Sequence, residues 1–251
     1  MDGMASVGDI ALGILGLVAT TAMFAAVVWL IVTKIRHRIE DVPAAMKEYA
    51  DARGLTFEGD GQFEGMTPLL RYRGKALGKV SGELAPGLQG ELAHLRYDPT
   101  NNDTDREQAV LLTPLPEAGV ARMYLDRGPS GNNALGDALS QFRAAELESA
   151  AFASRYSLRI RDDANLIAIR QLFAPSFIVF LTEEVPDGFN FELERGHLCV
   201  AVHGSHWKEP AELDELCRAA LVVRDRIRAD IAERMELRGA VSAPPPPPPP
   251  V

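Results

Sequence analysis

Phe189-Asn190-Phe191-Glu192-Leu193-Glu194-Arg195-Gly196-His197-Leu198-Cys199-Val200-Ala201-Val202-His203 is the stretch whose reading decides the fold. Residues 189–194 and 197–203 are rich in aromatic and β-branched side chains, and Arg195-Gly196 between them suits a tight turn, so the segment predicts two paired strands. On the second strand the period of two puts His197, Cys199, Ala201 and His203 on one face and Leu198, Val200 and Val202 on the other.

Downstream, Pro210 to Arg238 carries Leu213, Leu216, Ala220, Val223, Ile227 and Ile231 at steps of three and four. This spacing predicts a long amphipathic helix ended by Gly239, its stripe packing on the protein's own sheet. Upstream, Phe152 to Ile160 alternates through Tyr156, Leu158 and Ile160 and reads as a strand. Asp162-Asp163 sits where an N-cap belongs before a helix over 164–173, and Pro175 opens a second short helix through Phe177 and Leu181. In the first half, Pro43 to Arg53 reads as a helix stopped by Gly54, and 55–58 as a short strand. The glycines at 74, 78, 82, 87 and 90 divide 69–97 into short hairpin segments with a turn at Pro86-Gly87. Gly74 to Lys79 lacks the ending of a phosphate-binding loop and reads as a hairpin turn. Strands follow at 109–113 and 120–125, with polar loops at 98–105 and 128–136. The fold class is α+β: a single N-terminal transmembrane helix, then a mixed α+β cytoplasmic domain with antiparallel strands and a long C-terminal helix.

The span is Ile10 to Thr33, 24 residues without a charge, and at about 1.5 Å per residue it can cross a hydrocarbon core of roughly 30 Å. Ile10, Leu17, Phe24, Trp29 and Thr33 mark the anchor, with Trp29 at the interface. A cleaved signal peptide fits less well, because the chain starts Met-Asp-Gly and the run leads into Lys34-Ile35-Arg36-His37-Arg38. Lys34, Arg36 and Arg38 lie just after the span and set the orientation. By the positive-inside rule, residues 1–9 lie outside, 34–42 form a basic juxtamembrane segment, and 43–239 form a cytoplasmic domain at the inner membrane. Residues 240–251 are a disordered Pro-rich tail with seven prolines, Pro244 to Pro250. Consecutive prolines adopt an extended polyproline II rod, in which Pro244, Pro247 and Pro250 fall on one edge and are candidate partner contacts.

The order Leu147 to Phe152, then Tyr156-Ser157-Leu158-Arg159-Ile160, Leu172 to Phe177, Gly188 to Leu193 and Gly196-His197-Leu198 resembles a family of uncharacterised bacterial membrane-anchored proteins with a cytoplasmic domain of unknown function. The resemblance covers roughly 43–235. It implies an anchor and an α+β domain, and its recurring positions are packing residues that bring no catalytic or binding residues with them.

Function classes narrow on charge and chemistry. Thirty-five acidic against 26 basic residues give a net charge of −9, which argues against a nucleic-acid-binding surface. Two cysteines, Cys199 and Cys217, make no disulfide framework. Imidazole and thiol at His197, Cys199, His203 and His206 suit zinc or copper by ligand type, yet same-face strand positions two apart are about 7 Å apart and do not form a recognised metal spacing. No cofactor is implied. The paired acids Asp162-Asp163 and Glu183-Glu184 read as caps and solvated surface. The expectation is a non-catalytic, membrane-anchored scaffold or adaptor with the lipid bilayer and an unidentified protein as partners, and with self-association by the last helix as a further option. The alternatives are a metal-dependent hydrolase using His197 to His206 and a lipid- or small-molecule-binding module.

Overall fold

The structure, a computed structural model, describes residues 20–21, 23–30, 42–59, 61–63, 74–97, 106–118, 122–127, 142–161, 164, 166–203 and 209–241. Its centre is a ten-stranded sheet in which every pairing is antiparallel. The strands are β1 (Thr56–Glu58), β2 (Gly61–Phe63), β3 (Gly74–Ala85), β4 (Leu88–Tyr97), β5 (Arg106–Pro114), β6 (Met123–Arg127), β7 (Phe142–Ala144), β8 (Tyr156–Arg161), β9 (Phe189–Glu194) and β10 (His197–His203). Their order is β1-β3-β4-β5-β10-β9-β6-β8-β7, with β2 also on β3. The β9–β10 hairpin turns at Arg195-Gly196, both with positive φ, and sits mid-sheet, β10 pairing with β5 and β9 with β6.

Among the described residues, the helices beside the sheet are α1 (42–53), α2 (Ala150–Arg155), α3 (Leu166–Leu172), α4 (Pro175–Val179) and α5 (Pro210–Val241). The first sheet face carries Leu88 and Leu92 of β4, Leu111 of β5, Leu198, Val200 and Val202 of β10, and Phe189, Phe191 and Leu193 of β9. These join Leu213, Leu216, Ala220, Val223 and Ile227 of α5 in one core, so the period of two and the period of three to four meet across a single layer boundary. At the β8 end, Ser149 caps α2 by accepting from Phe152 N. The rings of Phe152, Phe173, Phe177 and Phe191 link α2, α3, α4 and β9 at centroid separations of 5.5 to 6.4 Å. The opposite face holds a smaller cluster of Ala76, Ala93, Leu95, Val110, Leu112, Tyr124, Cys199 and Ala201, to which no described helix contributes.

Several expectations need correction. The glycines at 78 and 82 do not break 69–97 into short segments, because β3 runs twelve residues through both and takes up the irregularity as register shifts between Ala76 and Gly78 and between Glu83 and Ala85. Gly74 to Lys79 is therefore strand and not a turn. Residues 152–155 are the end of α2 and only Tyr156 onward is strand, since the Ser149 cap closes a helical turn ahead of the alternating run. Gly239 does not end the last helix, which continues to Val241. After α4 the chain widens into a π-helical turn, Phe180–Glu184, that exposes Glu183 and Glu184. Strands β2 and β7 were not anticipated.

Within the expected span, residues 20–21 and 23–30 are helical. Ile10, Leu17, Thr33, Lys34, Arg36 and Arg38 lie outside the described residues, as do Asp162-Asp163, His206 and the tail with Pro244, Pro247 and Pro250. Among the described residues no single helix is long and apolar enough to cross a membrane.

Gly90 shows how closely β4 and β5 approach. A Cβ there would lie 2.5 Å from the Leu112 carbonyl oxygen. Gly90→Ala is expected to cost about 1–3 kcal/mol of stability, the usual range for forced overpacking, read as a lower urea midpoint.

Candidate functional site

The strand that carries the predicted metal ligands keeps them apart. His197, Cys199 and His203 do share one face of β10, but His197 lies opposite Glu194 and Pro114, Cys199 opposite Leu112 and Glu192, and His203 opposite Gln108. Six residue steps along the strand separate the two histidines, on the order of 20 Å. Cys199 is fully buried in the smaller cluster, beside the buried Glu192. No group of three His, Cys, Asp or Glu side chains among the described residues could hold a metal ion.

A different constellation forms where α1, the β3–β4 turn and α5 meet. Tyr49 and Arg53 are one helical turn apart on α1, and Asp214 and Cys217 are three apart on α5, so each pair faces the other helix. Tyr49 Oη donates to Asp214 Oδ1 at 3.0 Å and lies 3.8 Å from Cys217 Sγ. Arg53 Nη2 donates to Asp214 Oδ2 at 2.6 Å, and its guanidinium sits 3.9 Å from the Tyr49 ring centroid. Asp214 is thus held by two donors, while the arginine is clamped between a carboxylate and an aromatic face. Burial, with help from the adjacent Cys217 and Asp214, pushes the Tyr49 hydroxyl well above the usual phenol range. Burial likewise pushes the Cys217 thiol up to about 11. Neither group is set up as a nucleophile or base near neutrality.

Beside this clasp opens a cleft of about 1000 Å³, lined by Arg53, Leu55, Glu83, Leu84, Arg218 and Leu221 among others. Glu83 accepts from Gly87 N at 2.7 Å, and the buried Arg224 of α5 donates to the Gly87 carbonyl, so the β3–β4 turn that forms one wall is fastened from two sides. A second cleft of about 570 Å³, lined by Leu147, Arg170, Phe173, Pro175, Ile178 and Val179, lies between the segment 147–149 ahead of α2 and the α3–α4 pair.

A half-buried polar cluster around the buried His94 lies elsewhere on the core face. His94 Nε2 is 3.3 Å from Glu107 Oε2, and Arg96 Nη2 is 3.5 Å from Glu107 Oε1. The hydrogen bond with His94, then the nearby positive charge, holds the Glu107 carboxyl below its ordinary range in spite of burial. Sequence reading missed both clusters. Tyr49 and Asp214 are 165 positions apart, and neither has a neighbour in sequence that signals the pairing.

No protein-family model matches the chain, and no curated protein matches it. Among solved structures it is similar to the mycobacterial trehalose monomycolate transport factor A, TtfA, at 15% identity and a TM-score of 0.50, over 75% of this chain and 95% of that one. At that identity the likeness is one of fold.

Both thiols are buried, so the native chain is expected to show no reaction with a thiol reagent at pH 8 and two reactive groups once denatured. Glu107 has a folded-state pKa below its unfolded value. Its contribution to stability is therefore complete above the unfolded carboxyl value of about 4.3 and is lost as pH falls through the folded one. Glu107→Gln should flatten the acid limb of a stability-versus-pH profile and leave its slope near pH 7 unchanged.

Proposed function

We propose that this chain is a membrane-anchored, non-catalytic scaffold or adaptor, one span over residues 10–33 holding the α+β domain at the cytoplasmic face of the inner membrane. One observation carries the reading. Every described residue between 20 and 30 is exposed, including Met23 at 68%, Phe24 at 72%, Trp29 at 67% and Leu30 at 60%. An apolar helix with no face against its own domain requires an apolar surrounding. The charge-free run and the basic residues 34, 36 and 38 after it supply the length and the orientation.

The fold is shared with a protein named a transport factor, which is compatible with an accessory role. Membership in the membrane-anchored family that the sequence resembles fits the same picture. The binding-module alternative keeps a specific foothold in the α1–α5 cleft, whereas nothing among the described residues favours the metal-dependent hydrolase.

Carbonate extraction of membranes is expected to leave the full chain in the pellet and to release a chain starting at Asp41, and release of the full chain overturns the anchor. Cross-linking in intact cells is expected to capture a membrane protein. If capture is retained by a chain ending at Ser242, the folded domain or span makes the contact; if it is lost, the Pro244 to Pro250 rod does.

A further inference from the structure

We propose that the cleft between α1, the β3–β4 turn and α5 binds the phosphate head and proximal acyl chain of an anionic membrane lipid. The shape suits an amphiphile. About 1000 Å³ of space has Leu55, Leu84 and Leu221 along it and two guanidinium groups, Arg53 and Arg218, at its α1–α5 side, in line with ligand sites that combine an apolar lining with a few placed polar groups.

Guanidinium donors are placed to meet an anion. Arg53 is pre-positioned by Tyr49 and Asp214, yet this uses one of its donor nitrogens, and its remaining N–H groups have no partner among the described residues. Guanidinium carries five donors in a fixed fork, which matches phosphate oxygens bidentately. Arg218 stands one helical turn beyond Asp214, is exposed, and makes no ion pair or hydrogen bond within the described residues. The two carboxylates of the lining are already engaged: Asp214 by Tyr49 and Arg53, Glu83 by the Gly87 amide. Formal charge in the lining balances, two arginines against two carboxylates, so what the cleft offers an anion is the spare guanidinium donors of Arg53 and Arg218 and not a net positive field. Tyr49 and Cys217, held protonated by burial, add no negative charge near neutral pH.

The source of the ligand follows from the tether. Residues 34–41 separate the expected span from α1 and reach at most about 30 Å, and Arg53 lies about 16 Å further along α1, so the tether keeps the cleft within roughly 50 Å of the bilayer. This last step rests on the anchored reading and the binding chemistry does not. A failure of the anchor would appear in carbonate extraction, and a failure of the site in the titration below.

The test uses the full chain in phosphatidylcholine nanodiscs, titrated by calorimetry with the water-soluble dihexanoyl phosphatidic acid. Dihexanoyl phosphatidylcholine and inorganic phosphate are run in parallel, and Arg218→Gln serves as the variant. Saturable one-to-one binding of the phosphatidic acid is expected, weakened about tenfold by Arg218→Gln through loss of a charge-assisted hydrogen bond. Because Arg218 is exposed, the variant should keep the parent melting temperature. Absence of saturable binding, equal binding of the phosphatidylcholine, or an unchanged affinity in the variant overturns the proposal. Inorganic phosphate binding as tightly as the lipid makes the site one for a free anion and overturns it as well.

Discussion

Covering one face of an antiparallel sheet with a single long helix is the constraint on which the rest of this structure depends. The face made by β4, β5, β10 and β9 presents a continuous apolar surface, and α5 is the element that removes its middle from water. Each fully buried aliphatic side chain contributes roughly 1.5–3 kcal/mol of transfer free energy, and α5 brings Leu213, Leu216, Val223 and Ile227 to complete burial or within a percent of it. From that position the helix fastens the periphery with polar groups: Asp214 holds α1 through Tyr49 and Arg53, Arg224 holds the β3–β4 turn, and Arg228 reaches Glu117 at 3.4 Å. The apolar stripe sets the docking and the flanking charges set its register.

The cleft is a consequence of that arrangement. Three elements meet there without filling the space between them, and the groups that hold them together leave donors to spare. A guanidinium clamped between a tyrosine ring and a carboxylate has already lost much of its side-chain freedom, so further hydrogen bonds from it cost less entropy than from a mobile lysine. The same clasp explains why Tyr49 and Cys217 are chemically quiet: the burial that makes them good packing residues disfavours their charged forms.

At the far end of the sheet the covering is built differently. There the short helices α2, α3 and α4 close the core with stacked and edge-on aromatic rings. Tyr156 Oη donates to the Leu181 carbonyl at 2.8 Å, tying strand β8 to the π-helical turn. An aromatic joint of this kind tolerates short, bent helices because each ring covers a large area regardless of helix length.

Local chemistry was legible in the sequence. Alternation around Arg195-Gly196 yields the central hairpin, the three-and-four spacing of Leu213 to Ile227 yields the buried stripe of α5, and Gly54 stops α1 with a φ of 65°. Where two local signals competed, sequence reading failed: the glycines of β3 looked like breaks because a glycine at a strand register shift and one at a turn are the same letter, and the Tyr156 alternation hid the Ser149 cap that makes the preceding residues helical. The charge-free run and the basic residues after it also belong to the sequence alone, since length and charge asymmetry are properties of the chain. Pairings across the fold were decided only by tertiary structure. Tyr49 with Asp214, His94 with Glu107, the spread of His197 and His203 along one strand, and the cleft itself depend on which strands neighbour one another, and strand order is set by the summed burial of the whole sheet, which no local pattern records.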